Sequence, residues 1–96
     1  MPQSTDTLNI AVIDDFILIV TLNRPEKSNA FNTQMGWDLI SLFEELAVTP
    51  DDLRVVVITG AGDRAFCAGG DLKERNGMTD KQWFAQHLIY ERMVRA

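Results

Sequence analysis

The chain has 96 residues, of which 46% are hydrophobic and 24% are charged, and its formal net charge is −5. This length allows one small domain, and the composition is that of a folded globular protein rather than a disordered chain. The acidic balance argues against general nucleic-acid binding, which depends on basic patches, and the single cysteine excludes an internal disulfide.

The beginning of the chain and its apolar runs bear on localisation. Residues 1–7 are polar and lack the basic-then-apolar order of a signal peptide. The longest apolar run is far shorter than the roughly 20 residues needed to span a bilayer. We therefore expect a cytoplasmic protein that has neither a membrane nor a nucleic acid as its partner.

Two strands are predicted near the beginning of the chain. Residues 8–13 predict the first strand, and residues 16–22 predict a second strand so apolar that we expect both of its faces to be covered. Asp14 and Asp15 between them favour a tight turn, so the pair is predicted to form a hairpin. A loop is expected at residues 23–29, where a proline fixes the backbone.

A helix and a third strand follow this loop. Asn32 or Thr33 can cap a helix that runs to about Val48. The apolar residues of this helix recur at helical spacing and form one face, which comprises Met35, Leu39, Ile40, Phe43, Leu46 and Ala47. The β-branched run at residues 55–58 is typical of a buried strand, and we expect it to be parallel to its neighbours.

A turn of small residues follows the third strand, at residues 68–71 (AGGD). Its two adjacent glycines remove the Cβ atoms that would block a close approach to the backbone. Asp71 stands where the N-cap of a short helix belongs, and we expect the free N–H groups of that helix's first turn to point toward the same ligand. These features are typical of an oxyanion hole, in which backbone N–H groups bind a negatively charged oxygen. For Asp71 itself, a capping role is favoured over a catalytic one.

A last helix is predicted to run from a capping box at Thr79 and Gln82 to Ala96. The complete order of elements is therefore β-β-α-β-α-α, which is an α/β fold. Six apolar residues of the last helix are followed by nothing that could cover them, and these are Trp83, Phe84, Leu88, Ile89, Met93 and Val94. We therefore expect the chain to end within its fold.

Three blocks of the sequence closely resemble the enoyl-CoA hydratase/isomerase (crotonase) family. They are residues 23–32 (NRPEKSNAFN), residues 55–60 (VVVITG) and residues 65–73 (AFCAGGDLK). The blocks occur in order, and the resemblance covers nearly all of the chain. It implies the N-terminal part of a crotonase-like (ClpP/crotonase) spiral of ββα units. Because family members are more than twice as long, residues 1–96 are expected to be a partial domain that lacks its C-terminal part.

The resemblance also implies site residues. The backbone N–H of Gly70 would be one of two donors to the thioester oxygen of an acyl-CoA. The second donor and the acidic residues that activate water would come from later segments. The residues implied in CoA binding are Arg24, Lys27, Asn29, Ala30, Ala68, Gly70, Asp71, Leu72 and Lys73, with Arg24 and Lys27 near the phosphates. Coenzyme A is expected as part of the substrate, without a separate cofactor or metal, and the complete protein is expected to be a homo-oligomer, either a trimer or a hexamer.

One competing motif lies at residues 60–65 (GAGDRA), which match the dinucleotide fingerprint G-x-G-x-x-G/A after a strand. In that fingerprint the glycines open a long helix that carries the pyrophosphate. Here Gly69 and Gly70 would break such a helix after about one turn, so a dinucleotide site is disfavoured.

The other reactive side chains have more ordinary interpretations. Cys67 could be a nucleophile with His87 as its base, but an apolar filler is favoured for the cysteine and a surface position for the histidine. A metal site is disfavoured, because no His/Cys cluster has ligand spacing. Four glutamates are possible acid/base groups, namely Glu44, Glu45, Glu74 and Glu91. Of these, only Glu74 is close in sequence to the glycine turn.

Two hypotheses about function follow. The first is acyl-CoA binding with enolate-stabilising chemistry, as in a hydratase that adds water to a 2-enoyl-CoA. This activity is expected of the complete protein, and the 96-residue chain is expected to be inactive alone. The second is a non-catalytic CoA-binding fragment or split subunit that needs a partner chain.

Overall fold

The computed structural model describes residues 2–96 and confirms the α/β fold and the predicted order of elements. The strands are β1 (Leu8–Ile13), β2 (Ile17–Leu22) and β3 (Val55–Gly60). The α-helices are α1 (Thr33–Val48), α2 (Leu72–Arg75) and α3 (Asp80–Arg95). A 3₁₀ turn at Pro25–Lys27 lies within the predicted loop, and its proline occupies a first helical position, where the missing N–H removes no hydrogen bond.

The sheet has the order β1-β2-β3. β1 and β2 form the predicted antiparallel hairpin, with Leu8 opposite Leu22. The two aspartates of its turn have φ values of 55° and 65°, which Asp tolerates better than most residues. β3 pairs with β2 in parallel, with Val55 opposite Ile17, so the prediction of a parallel third strand is confirmed.

α1 packs on the sheet and supplies three of the seven residues of the core cluster. Asn32 is its N-cap, and the Asn32 side chain accepts a hydrogen bond from the N–H of Met35 at 2.9 Å. The predicted apolar face needs two corrections, because Leu42 is buried in the core and Ala47 is exposed. Leu42 lies seven residues after Met35 and therefore on the same side of the helix. The core cluster consists of Leu8, Leu18, Val20, Leu22, Met35, Leu39 and Leu42.

β2 and β3 are less covered than the sequence predicts. On β2 only alternate residues are buried, namely Leu18, Val20 and Leu22. On β3 the apolar residues 55–58 are 38–50% exposed. The expectation of buried strands is wrong for the described residues, because β3 is an edge strand and its apolar side chains lack the second layer that would bury them.

α3 packs one side against α1 and leaves the other side open. A Cβ on Gly36 of α1 would lie 3.3 Å from side-chain carbons of Ile89 and Tyr90, so the glycine allows the two helices to approach closely. The predicted capping box is present. The open side confirms the expected exposure of Trp83, Phe84, Leu88 and Val94, which are 43–80% exposed, whereas Ile89 and Met93 are partly covered. Neither α3 nor any other helix within residues 2–96 is long and apolar enough to cross a membrane.

Candidate functional site

The two segments implied in CoA binding lie side by side, although they are far apart in sequence. Three backbone hydrogen bonds of 2.9–3.0 Å join them, from the N–H of Ala68 to the oxygen of Ser28, from the N–H of Phe31 to the oxygen of Gly69 and from the N–H of Asp71 to the oxygen of Phe31. Phe31 and Gly70 also form an isolated parallel bridge. The fold therefore brings the loop at residues 27–31 against the glycine turn.

The backbone N–H of Gly70 is free. The amides of Ala68 and Asp71 donate to the neighbouring loop, but the amides of Gly69 and Gly70 between them have no acceptor in the described part of the chain. Gly69 has a φ of 93°, a conformation that glycine adopts far more readily than other residues. Gly70, a partly exposed residue whose N–H has no partner among residues 2–96, thus stands at the position where the resemblance implies an oxyanion donor.

Asn29 holds this loop in place. Its side chain is fully buried, and its Nδ2 donates to the carbonyl oxygens of Ala61 and Ala65 at 2.9 Å each. Its Oδ1 accepts from the N–H of Arg24 at 2.9 Å. The φ of Asn29 is 56°, a value at which asparagine is enriched. Since Asn29 has no exposed surface, the expected direct contact with CoA does not fit this placement, and the residue positions the loop instead.

Arg24 and Asp71 form an ion pair that ties the loop to the glycine turn. Nη2 of Arg24 lies 2.8 Å from Oδ2 of Asp71, and the two side chains are only 13% and 11% exposed. Nη1 of Arg24 donates to the carbonyl of Ala30 at 2.6 Å, and Ala30 is itself buried. Both ends of the guanidinium therefore have protein partners. Arg24 therefore has a structural role, and its expected position near the phosphates of CoA stays a prediction.

Asp71 caps α2, as the sequence predicts. Its Oδ1 accepts from the N–H groups of Lys73 at 3.0 Å and Glu74 at 3.2 Å. The expectation that the first-turn donors face a ligand is therefore wrong for Lys73 and Glu74, whose N–H groups the Asp71 carboxylate already binds. The hydrogen bond from Arg24 is the largest cause that lowers the pKa of Asp71, and burial partly opposes it. Asp71 is thus a charged cap with internal partners.

A buried polar network fixes α2 against the longer helices. Oε1 of Glu74 accepts from the N–H of Thr33 at 2.9 Å, from the Thr33 hydroxyl at 3.1 Å and from Nε2 of Gln86 at 2.6 Å. Gln86 is only 2% exposed, whereas Thr33 and Glu74 are half-buried, so this network is partly shielded from solvent. Glu74 therefore fits a positioning role better than that of a catalytic acid or base.

The remaining predicted residues lie at the surface or against the core. The exposed members of the predicted CoA set are Lys27, Ala68, Leu72 and Lys73. Cys67 is partly buried against the core, as expected of an apolar filler, and His87 is exposed beside Trp83, with ring centroids 4.1 Å apart. Residues 2–96 contain no group of three side chains that could hold a metal ion.

Two residues at the site were not identified from the sequence. The hydroxyl of Tyr90 donates to the carbonyl of Phe31 at 3.2 Å, and burial, with a smaller effect of Glu74, raises the pKa of Tyr90 to about 12. Arg75 lies against Gly70, since a Cβ on Gly70 would be 2.9 Å from Nη2 of Arg75. The sequence could have indicated Arg75, because it is a cation five residues after Gly70. It could not have indicated Tyr90, because this residue reaches the site only through the packing of α3.

An apolar cavity of about 390 Å³ lies near the turn, with Phe31, Phe66, Cys67 and Met93 among its lining residues. Gly70 does not belong to that lining. The cavity therefore does not by itself determine where an acyl chain would lie relative to the free amide.

The competing dinucleotide motif does not form a phosphate-binding turn. No helix opens after Gly60, and the next helix begins at Leu72. A Cβ on Gly60 would lie 2.4 Å from the carbonyl oxygen of Phe66 and 2.8 Å from Nδ2 of Asn29, so this glycine serves close packing. The prediction that no long helix follows this motif is confirmed.

Comparisons with known proteins agree with this geometry. The model of the family described as enoyl-CoA hydratase/isomerase matches residues 13–94. YngF of Bacillus subtilis, provisionally named as an enoyl-CoA hydratase/isomerase, is 36% identical over 77 residues, which cover 80% of this chain. The 1,2-epoxyphenylacetyl-CoA isomerase of Escherichia coli is 41% identical over 64 residues, or 67% of the chain. The crystal structure of an enoyl-CoA hydratase from Bacillus anthracis is similar over 93% of the chain, with 28% identity and a TM-score of 0.87.

The similarity covers a limited part of each relative. The chain spans 29% of YngF, 24% of the isomerase and 34% of the hydratase structure. Within that span, the sequence match, the fold and the arrangement of the glycine turn agree with one another. The chain belongs to the enoyl-CoA hydratase/isomerase family.

Proposed function

We propose that this site binds an acyl-CoA thioester, with the N–H of Gly70 donating a hydrogen bond to the thioester oxygen. The observation that carries this proposal is the amide of Gly70, which has no acceptor among residues 2–96 although the amides of Ala68 and Asp71 on either side of the two glycines bind the loop. Lys27, Leu72 and Lys73 are exposed on the same two segments and are the residues we propose for contact with the CoA portion.

A fixed N–H group suits the chemistry of this substrate class. Adding water to a 2-enoyl thioester, or shifting its double bond, places negative charge on the thioester oxygen as an enolate. A donor held in place stabilises that charge more than it stabilises the neutral ground state, and one such donor contributes about 3 kcal/mol in enzymes where it has been removed. Asn29 and the three backbone hydrogen bonds hold the turn, so the donor needs little rearrangement.

Proton transfer needs further groups. The two carboxylates nearest to Gly70 in sequence, those of Asp71 and Glu74, already have internal partners. We therefore propose that the complete protein supplies its acid/base groups and a second oxyanion donor from outside these residues. Hydration of a 2-enoyl-CoA is our first proposal for the reaction. Isomerisation is the alternative, because the similar proteins include an isomerase.

Binding to the 96-residue chain tests the role of Gly70. Isothermal titration calorimetry with butyryl-CoA is expected to show binding that Gly70→Pro weakens about tenfold or more, because proline has no N–H. Gly70→Ala is the matched control, since it keeps the N–H and meets only the movable end of the Arg75 side chain. Absence of binding, or equal binding by the proline variant, would contradict the proposal.

The hydratase proposal has its own assay. We expect the chain alone to give no hydration of crotonyl-CoA above background, measured as loss of the absorbance of the enoyl thioester. Turnover by the purified chain would refute this expectation of inactivity and would support hydration as the reaction.

A second candidate is a CoA-binding fragment or split subunit that needs a partner chain. The observation that favours it is the exposure of apolar side chains on β3 and on the open side of α3. Size-exclusion chromatography and thermal unfolding of the chain distinguish the two cases. A monomer that unfolds cooperatively would argue against an obligatory partner. The predicted homo-oligomer and cytoplasmic location stay predictions.

A further inference from the structure

Arg75 is a cation without a partner beside the proposed oxyanion donor. Among residues 2–96 its side chain makes no ion pair and no hydrogen bond, and its Nε is buried without an acceptor. Buried polar groups normally have partners, and an exception indicates a role that the isolated chain does not fulfil. An arginine stays charged at all physiological pH values, and the half-buried Arg75 keeps its two Nη atoms accessible.

The two carboxylates close to Arg75 in sequence have other partners and form no ion pair with it. Asp71 is paired with Arg24 at 2.8 Å and caps α2, and Oε1 of Glu74 accepts three hydrogen bonds from Thr33 and Gln86. Because these contacts also fix the backbone of α2, Arg75 extends from a rigid support. Its guanidinium lies against Gly70, where Nη2 and Cζ would be 2.9 and 3.0 Å from an added Cβ.

We infer that Arg75 binds a carboxylate carried by the acyl part of the substrate, and that the protein therefore acts on carboxylated acyl-CoA thioesters. This inference rests on the proposed binding of the thioester at Gly70. The guanidinium lies at the donor that would bind the thioester oxygen, so it is close to the acyl group. The planar fork of arginine matches a carboxylate through two parallel hydrogen bonds. A substrate carboxylate would bind the two Nη atoms, which have no partner among residues 2–96 and, unlike Nε, are not buried.

Two thioesters of equal carbon number provide the test. Succinyl-CoA and butyryl-CoA both carry four acyl carbons and differ in the terminal carboxylate. We expect Arg75→Gln to raise the dissociation constant of succinyl-CoA about tenfold or more, as removal of a charged hydrogen-bond partner does, and that of butyryl-CoA less than about twofold. Arg75→Lys keeps the charge without the fork and should give an intermediate loss for succinyl-CoA.

The control is Arg64→Gln, which removes an exposed cation from the preceding loop and should change neither constant. Equal losses for both thioesters in Arg75→Gln would overturn the inference, because Arg75 would then contact a part common to both ligands. No loss for either would also overturn it. If the unaltered chain binds neither thioester, the proposed function fails as well, whereas binding of butyryl-CoA with no selective loss disproves only the role of Arg75.

Circular dichroism shows whether each variant is folded. If Arg75→Gln is unfolded, the comparison rests on Arg75→Lys, which must weaken succinyl-CoA more than butyryl-CoA for the inference to hold.

Discussion

The site segments and the outer surfaces of β3 and α3 are stabilised to very different degrees. At the site, buried Asn29, the Arg24–Asp71 ion pair and three backbone hydrogen bonds join the loop to the glycine turn. On β3 and on the open side of α3, large apolar side chains are 38–80% exposed. The polar groups of the site therefore have most of their hydrogen-bond partners within the chain. The apolar side chains of β3 and α3 have few packing partners there.

This difference follows from the nature of the two kinds of interaction. A hydrogen bond is satisfied by one donor and one acceptor at a suitable distance, so neighbouring segments can complete it. Burial of an apolar strand needs a second packed layer. A chain that spans 24–34% of the relatives described above can therefore hold its binding segments in place while its apolar surfaces stay open.

Asn29→Ala is expected to have the largest effect on the site region. It leaves the carbonyls of Ala61 and Ala65 and the N–H of Arg24 without their partner, and we expect unfolding free energy to fall by about 3 kcal/mol. Urea unfolding followed by circular dichroism measures this loss. Asn9→Ala, at an exposed position of β1, is the control and should change stability by less than about 0.5 kcal/mol. Similar losses in both variants would show that Asn29 does not hold the loop.

Gly60→Ala tests the close packing between the end of β3 and the site loop. The added Cβ would meet the carbonyl oxygens of Phe66 and Ala65 at 2.4 and 2.8 Å, and backbone must move to accommodate it. We expect a loss of about 2 kcal/mol, measured by thermal or urea unfolding. Gly77→Ala is a matched control, because nothing lies within 4 Å of its Cβ position. If both variants are equally stable, the packing at Gly60 is looser than the structure indicates.

Asp71→Asn tests the ion pair, with an expected loss of about 1.5 kcal/mol at neutral pH. Because Arg24 lowers the pKa of the folded carboxyl, its stabilisation is fully present above the ordinary pKa of about 3.9 and is lost as pH falls through the lower folded value. The difference in unfolding free energy between the unaltered chain and the variant should therefore shrink below about pH 4. Asp63→Asn, at an exposed site, is the control. A difference that does not change with pH would contradict the assigned role.

The smallest effect on stability is expected on the open side of α3. Phe84 and Leu88 are 61% and 53% exposed, so replacing both with Gln should change unfolding free energy by less than about 0.5 kcal/mol for each residue. The replacement should reduce concentration-dependent self-association, measured by light scattering during size-exclusion chromatography. Lys81→Gln provides a control on the same helix. A loss of several kcal/mol would show that this surface is covered in solution.

Local patterns were sufficient for much of the fold. The turn aspartates, the capping box of α3 and the Asp71 cap depend on residues within a few positions of each other, and such contacts follow from local stereochemistry. The parallel pairing of β3 was also predicted correctly. The burial of β3 was predicted wrongly, because its apolar residues indicate a strand suited to burial but do not supply the layer that covers it.

The sequence by itself determined the family, the order of elements and the position of the glycine turn, because these depend on short-range patterns and on three recognisable blocks. Only the tertiary structure decided which donors are free and which are engaged. It assigned Arg24 and Asp71 to each other and placed Asn29 inside the loop, and within residues 2–96 it gave the Gly70 amide and the Arg75 side chain no hydrogen-bond partner. The reason is physical: a hydrogen-bond partner distant in sequence is chosen by the packing of segments, and no local pattern records that choice.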